Sequence, residues 1–219
     1  MHGSPTIINC TFKSNSSTAS GSNAHGGGMF NVHGSPTITN CTFTANRVRS
    51  TAYKLDGFGG GISNYSSPSV ITNCTFESNM ADYGGGINNE GSANPTINNC
   101  IVWNNTAFTD GPQFYNPVDT ATPTIRYSDI EGGCSAVANA VCDESNIDED
   151  PLFEDAANGD LHPTTDSPCI NTGDNGALPL DLTDLDGDSD TEETIPLDRD
   201  GNDRIVGDIV DMGAYEYQL

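Results

Sequence analysis

The sequence predicts an all-β fold, a parallel β-helix followed by an irregular acidic cap, on three observations. An apolar, Asn-rich module recurs as "SPTIINCTF", "SPTITNCTF", "SPSVITNCTF" and "NPTINNCIV". A Gly-rich module alternates with it as "GGGMFN", "GGGISN" and "GGGINN", at a period of about 25 to 33 residues. Acidic residues are concentrated beyond the last repeat. Fixed-period repeats of this size indicate a solenoid. The many Gly, Asn, Thr and Pro residues oppose a helical one.

The first module is read from its phase. In "TIxNCTF", Ile and Cys are three residues apart, whereas Cys and Phe are two apart. One strand cannot place all three on the same face, because strand side chains alternate. A corner at Asn restores the phase, since Asn tolerates the left-handed backbone that a tight turn needs. Ile then lies on one short strand and Cys-Thr-Phe on the next. A second corner is expected at the trailing Asn (Asn15, Asn46, Asn79, Asn105), and the Gly-rich module supplies the third strand of each coil.

Stacking at about 4.8 Å per coil aligns like with like. Ile7, Ile38, Ile71, Ile97 and Ile125 form one expected interior column. Phe12, Phe43, Phe76 and Val102 form a second, and Met29, Ile62, Ile87 and Phe114 a third. Asn9, Asn40, Asn73 and Asn99 are expected to bond to one another as a corner ladder. This organisation assigns residues 1–127 to β-helix coils. Residues 128–219 form an acidic cap continuing the β-helix.

"GGGI" alternating with "CTFxxN" resembles the repeats of bacterial right-handed β-helix surface proteins, and is similar to the GGAI and FxxN repeats of chlamydial polymorphic outer-membrane proteins. The tail, "NIDEDPLFED", "GDLHPTTDSPCINTGD" and "DRDGNDRIVGDIVDMGAYEY", resembles the C-terminal part of the choice-of-anchor Q domain. The resemblance implies a right-handed helix and an extracellular or cell-surface location, and no single activity.

Cys10, Cys41, Cys74 and Cys100 share one repeat position and are expected as free interior thiols. In-register Cβ atoms about 4.8 Å apart exceed the usual disulfide span of roughly 3.5–4.5 Å. Cys134 and Cys142 enclose a short loop and are the expected disulfide, given an oxidising compartment.

Charge divides the chain. Residues 1–127 hold six acids and five bases, and residues 128–219 hold 25 acids and two bases, so −1 and −23 sum to −24. Such a field repels nucleic acid and attracts multivalent cations. No apolar run is long enough for a membrane span.

"DLDGDSDTEE" places Asp184, Asp186, Asp188 and Asp190 at alternate positions with Glu193 close behind, and "DRDGND" adds Asp198, Asp200 and Asn202. Alternate carboxylates in a tight loop supply the six to eight oxygens that Ca2+ takes. A structural calcium loop is therefore expected within 181–203. Counting from Asp184, Ser189 replaces the Gly expected at the sixth EF-hand position, and Ile195 replaces the Glu at the twelfth. The loop is accordingly irregular, with no flanking helices.

Two function classes follow. The favoured one is a non-catalytic structural or adhesive module, acting on an extracellular glycan or on another copy of itself. The loop "RVRSTAYKLDGF" carries Arg47, Arg49, Tyr53 and Lys54, a basic-aromatic set suited to an anionic partner. Met1 stands in repeat register with Val32, so the first coil lacks its Gly-rich strand. This predicts either a fragment of a longer protein or an open end available for head-to-tail assembly. The competing class is a polysaccharide lyase or glycoside hydrolase on the same scaffold. Asp56, Asp82 and Asp110 precede the Gly-rich strand in successive coils, and Asp82 and Asp110 are its expected catalytic pair.

Overall fold

A computed structural model describes residues 3–51, 55–118 and 120–218. The chain winds about four coils whose strands pair only in parallel, and like positions meet across them. The three interior columns form as the phase argument requires. Ile7 pairs with Ile38, Ile38 with Ile71, Ile71 with Ile97 and Ile97 with Ile125. Phe12, Phe43 and Phe76 stack at 4.7 Å between successive ring centroids, with rings within 4° of parallel. Met29, Ile62, Ile87 and Phe114 complete the core.

Each coil has four sides, where the repeat suggested three strands. The first sheet contains Thr6–Ile8, Thr37–Thr39, Val70–Thr72, Thr96–Asn98, Thr124–Arg126 and Val141–Cys142. The second contains Thr11–Lys13, Thr42–Thr44, Thr75–Glu77, Ile101–Trp103 and Asp129–Ile130. The additional third side is built from Ser16–Ala19, Arg47–Ser50, Met80–Tyr83 and Thr106–Asp110, with the short strands Ala24–His25 and Gly57–Phe58. Its sequences vary between repeats because only a few small side chains, chiefly Ala24, Val48 and Ala81, face inward. The Gly-rich modules form the fourth sheet, Met29–Val32, Ile62–Tyr65, Ile87–Glu90 and Phe114–Tyr115.

The corners explain the Asn and Gly residues. Asn9, Asn40, Asn73 and Asn99 have φ between 49° and 53°, the left-handed backbone expected of them. Amide ladders are instead formed by Asn31, Asn64, Asn89 and Asn116 of the Gly-rich modules and by the trailing Asn residues. Asn15 donates to Asn46, Asn46 to Asn79 and Asn79 to Asn105 at 2.9–3.0 Å. The left-handed residue at that corner is the one before it, Ser14, Ala45, Ser78 or Asn104. That turn points the following amide inward, where neighbouring amides and the backbone groups of adjacent coils satisfy it, as the Phe12 and Phe43 carbonyls do for Asn46 and Asn79. The triple glycines answer to close approach: a Cβ at Gly60 would lie 2.3 Å from the Gly85 carbonyl oxygen.

Cys41, Cys74 and Cys100 are buried free thiols, whereas Cys10 is exposed on the first coil. Cys134 and Cys142 are joined in a disulfide with Cα atoms 5.6 Å apart. Cys142 pairs with Ile125, which places the bridge at the end of the Ile column.

Residues beyond 150 run back along the outside of the coils. A hairpin of Phe153–Asp155 and Asp160–Pro163 starts the return. Cys169 and Met212 then pack on Ile101, on the outer face of the second sheet. The outward corner amides anchor this segment. Asn99, Asn73 and Asn40 donate to the carbonyls of Asp174, Asp211 and Leu197. Only the pair Asn99–Asn73, at 3.3 Å, retains the expected amide ladder. Arg204, fully buried, donates to Glu216 and to the carbonyls of Ala214 and Asp211.

Candidate functional site

Two surface features carry chemistry: a cleft over the third sheet and the acidic loop of the returning segment. The cleft is made by alternation. Val48 is buried, so Arg47 and Arg49 on either side of it project outward and are exposed. They share a cleft of about 370 Å³ with Ser50, Leu55, Asp56, Asp82 and Phe108. Among the described residues neither arginine forms an ion pair. Phe108 is 63% exposed and offers a free ring face. The nearby rings of His25, Phe58 and Tyr83 stack on one another at 5.2–5.3 Å, which occupies their faces. Tyr53 and Lys54 lie outside the described residues.

The expected acid pair is not assembled. Tyr83 pairs with Phe58 in one direction and with Asp110 in the other. Asp82 therefore stands in register with Gly57, one position before Asp110, and Asp56 one position earlier again. The cause is an extra residue between Ala107 and Asp110, a bulge opposite Ala81–Tyr83. A one-residue offset turns a side chain to the opposite face. Asp82 caps the Gly57 N–H at 2.7 Å and faces the arginines, whereas Asp110 lines a different hollow with Tyr115 and Asn116. Phe108 sits in the bulge, where no repeat signal marks it.

In the acidic loop, ligand atoms of Asp184, Asp186 and Asp188 lie within 4.8 Å of one another, and so do those of Asp181, Asp186 and Glu193. Asp186 joins the two sets. Gly187 and Ser189, at φ 78° and 73°, supply the tight turns that gather these side chains. The Glu193 Oε1 atom is buried without a hydrogen-bond partner. Burial and the charges of Asp188, Asp186, Asp190 and Asp181 together push the Glu193 pKa upward. An orphaned carboxylate oxygen among like charges is the chemistry that a hard cation relieves, and an all-oxygen donor set suits Ca2+. Asp181 was not marked by the alternating pattern, since it precedes Asp184 by three residues.

The remaining expected ligands are placed otherwise. Asp190 accepts from the Glu192 N–H and belongs to neither set. Asp198 is fully buried, and its carboxylate accepts from the N–H groups of Asp200, Asn202 and Glu216 at 2.9–3.0 Å. Asp200 binds His162 Nε2 at 3.0 Å. The stretch 198–203 is thus a structural turn, whose Asp satisfies backbone donors as Asp does in tight loops.

A family model described as a right-handed β-helix region matches residues 2–149, more than half of the chain, including the cleft and ending before the acidic loop. No curated protein and no solved structure matches the chain. With its parallel coils and matched repeats, the chain belongs to the right-handed β-helix family.

Proposed function

We propose that the chain is a non-catalytic extracellular or cell-surface module of the choice-of-anchor Q type, which adheres to an anionic glycan through the cleft over its third sheet. One observation carries the reading: two exposed arginines, without an ion pair among the described residues, share a cleft with an exposed aromatic ring, on a protein of net charge −24. Arg forks hold carboxylate or sulfate groups, the Phe108 ring supports a sugar face, and Asp56 and Asp82 accept from hydroxyls. The acidic loop contributes stability by holding Ca2+. Its carboxylates also offer an anionic surface to the arginines of a second copy, so self-association competes for the same cleft.

Calorimetry with acidic and neutral oligosaccharides tests this. Binding of the acidic glycan, absent with the neutral one and weakened at least tenfold in Arg47→Ala/Arg49→Ala, is expected. Equal binding by that variant would sink the reading. The second reading, a lyase or hydrolase, is favoured by the nearness of Asp82 to the arginines. Product released by the wild type and lost in Asp82→Ala would establish it in place of adhesion.

The described residues contain no helix long and apolar enough to cross a membrane.

A further inference from the structure

A second hollow, of opposite character, opens where the returning segment meets the second sheet. It measures about 300 Å³ and is lined by Glu77, Trp103, Asn104, Asp150, Leu152 and Phe153. Glu77 and Trp103 are register partners on adjacent coils. Trp103 and Phe153 pack at the edge of the cluster formed by Ile101, Cys169 and Met212, which fixes the apolar side of the hollow.

The acidic side lacks a counter-charge. Glu77 is only 3% exposed. Its Oε1 accepts from the Ser78 hydroxyl and from Asn104 Nδ2. Asp150 is exposed, and its Oδ1 accepts from the Leu152 N–H at 3.0 Å. Leu152 has φ 50°, unusual for Leu, and presents its side chain 39% exposed beside the hollow. Neither carboxylate forms an ion pair among the described residues. Lys13, two coils away on the same outward row, is engaged by the Asn158 carbonyl.

We propose that this hollow binds an organic cation, an alkylammonium or guanidinium head held by Glu77 and Asp150 with its apolar stem over Trp103, Phe153 and Leu152. Carboxylates in a partly desolvated site attract a cation more strongly than in water, and aromatic rings add to that attraction. An anionic ligand meets two like charges, and a neutral one leaves both carboxylates unpaired. A calcium ion would find too few oxygens among apolar walls. The head group can belong to a free diamine or to a Lys or Arg side chain of another protein.

The chain has a single Trp, so one indole N–H resonance reports on the hollow. Full-length protein is titrated with cadaverine, with acetyl-Gly-Lys-Gly-amide, with 1,5-pentanediol as neutral isostere and with calcium chloride, at constant ionic strength. A saturable indole shift with either amine is expected, absent with the diol and with calcium. Preference for cadaverine assigns the site to free amines, and preference for the peptide to a side chain. Asp150→Asn and Glu77→Gln should each weaken binding at least tenfold; Asp150 is exposed, so its variant remains informative if Glu77→Gln fails to fold. No saturable shift, an equal shift from the diol or calcium, or unchanged affinity in Asp150→Asn would overturn the proposal.

Discussion

Asp129 occupies the outward row that holds Thr11, Thr42, Thr75 and Ile101 in earlier coils. The returning segment covers it completely, and its carboxyl meets the Glu149 N–H and the Cys169 thiol, both at 3.3 Å. Burial pushes its pKa up to about 7, against the pull of those two donors. The folded protein therefore keeps a proton there that the unfolded chain releases near pH 4. The sign follows: this contribution is fully present below the unfolded pKa and is lost as pH rises through about 7. A rise of about 3 units corresponds to about 4 kcal/mol. Denaturant unfolding between pH 4 and 8 should show stability falling across the window, and Asp129→Asn should remove much of that slope. Asp211 and Glu216, whose carboxyls burial also raises beside Arg204, retain their share.

At the scale of the element, two Asn rows with the same repeat period do different work. Asn79 is fully buried; it donates to Asn105 and the Phe43 carbonyl, and it accepts from the backbone and side chain of Asn46. Asn79→Ala should cost about 3 kcal/mol or more, because it orphans donors and acceptors in both neighbouring coils. Asn40, at φ 49°, instead ties a corner to the Leu197 carbonyl. Asn40→Ala should cost about 2 kcal/mol, from left-handed backbone strain, the lost bond to Leu197 and the lost long contact, 3.4 Å, from the buried Arg204 guanidinium. Urea unfolding of the two variants checks the order; the reverse order would contradict the assignment of the interior ladder. Both rows were legible as corners in the sequence. Which row turned inward was not, because the left-handed residue at the second corner is Ser14, Ala45, Ser78 or Asn104, with no common identity.

For the whole molecule, the balance lies between the acidic return segment and the coils it covers. Asn40, Asn73 and Asn99 and the Ile101–Cys169–Met212 contact hold it, while 25 of the chain's 31 acids lie beyond residue 127. A cation in the acidic loop lowers that repulsion and binds only the folded form, so calcium should raise Tm. Calorimetric melting with calcium at about a hundredfold over Kd, against a chelated sample, should differ by about 5 °C or more. Asp186→Asn, which removes the carboxylate common to both sets, should abolish the difference. Asp190→Asn, outside both, should leave it. Equal melting of the calcium and chelated samples would remove calcium from the description.

The sequence by itself determined the repeat, the interior columns and the parallel stacking, since these depend on strand alternation and on residues that tolerate corners. It also marked Arg47 and Arg49 as one basic set but read their segment as a loop; the structure makes Arg47–Ser50 a strand, whose alternation turns both arginines outward. The tertiary structure decided what depends on distant segments meeting. It added the third side of each coil, whose inward side chains are too small to leave a pattern. A one-residue bulge separated Asp82 from Asp110, and the returning segment brought Asp181 to Asp186 and Glu193 while committing Asp198 to backbone donors. Local periodicity fixes which face a residue takes; only packing fixes what that face meets.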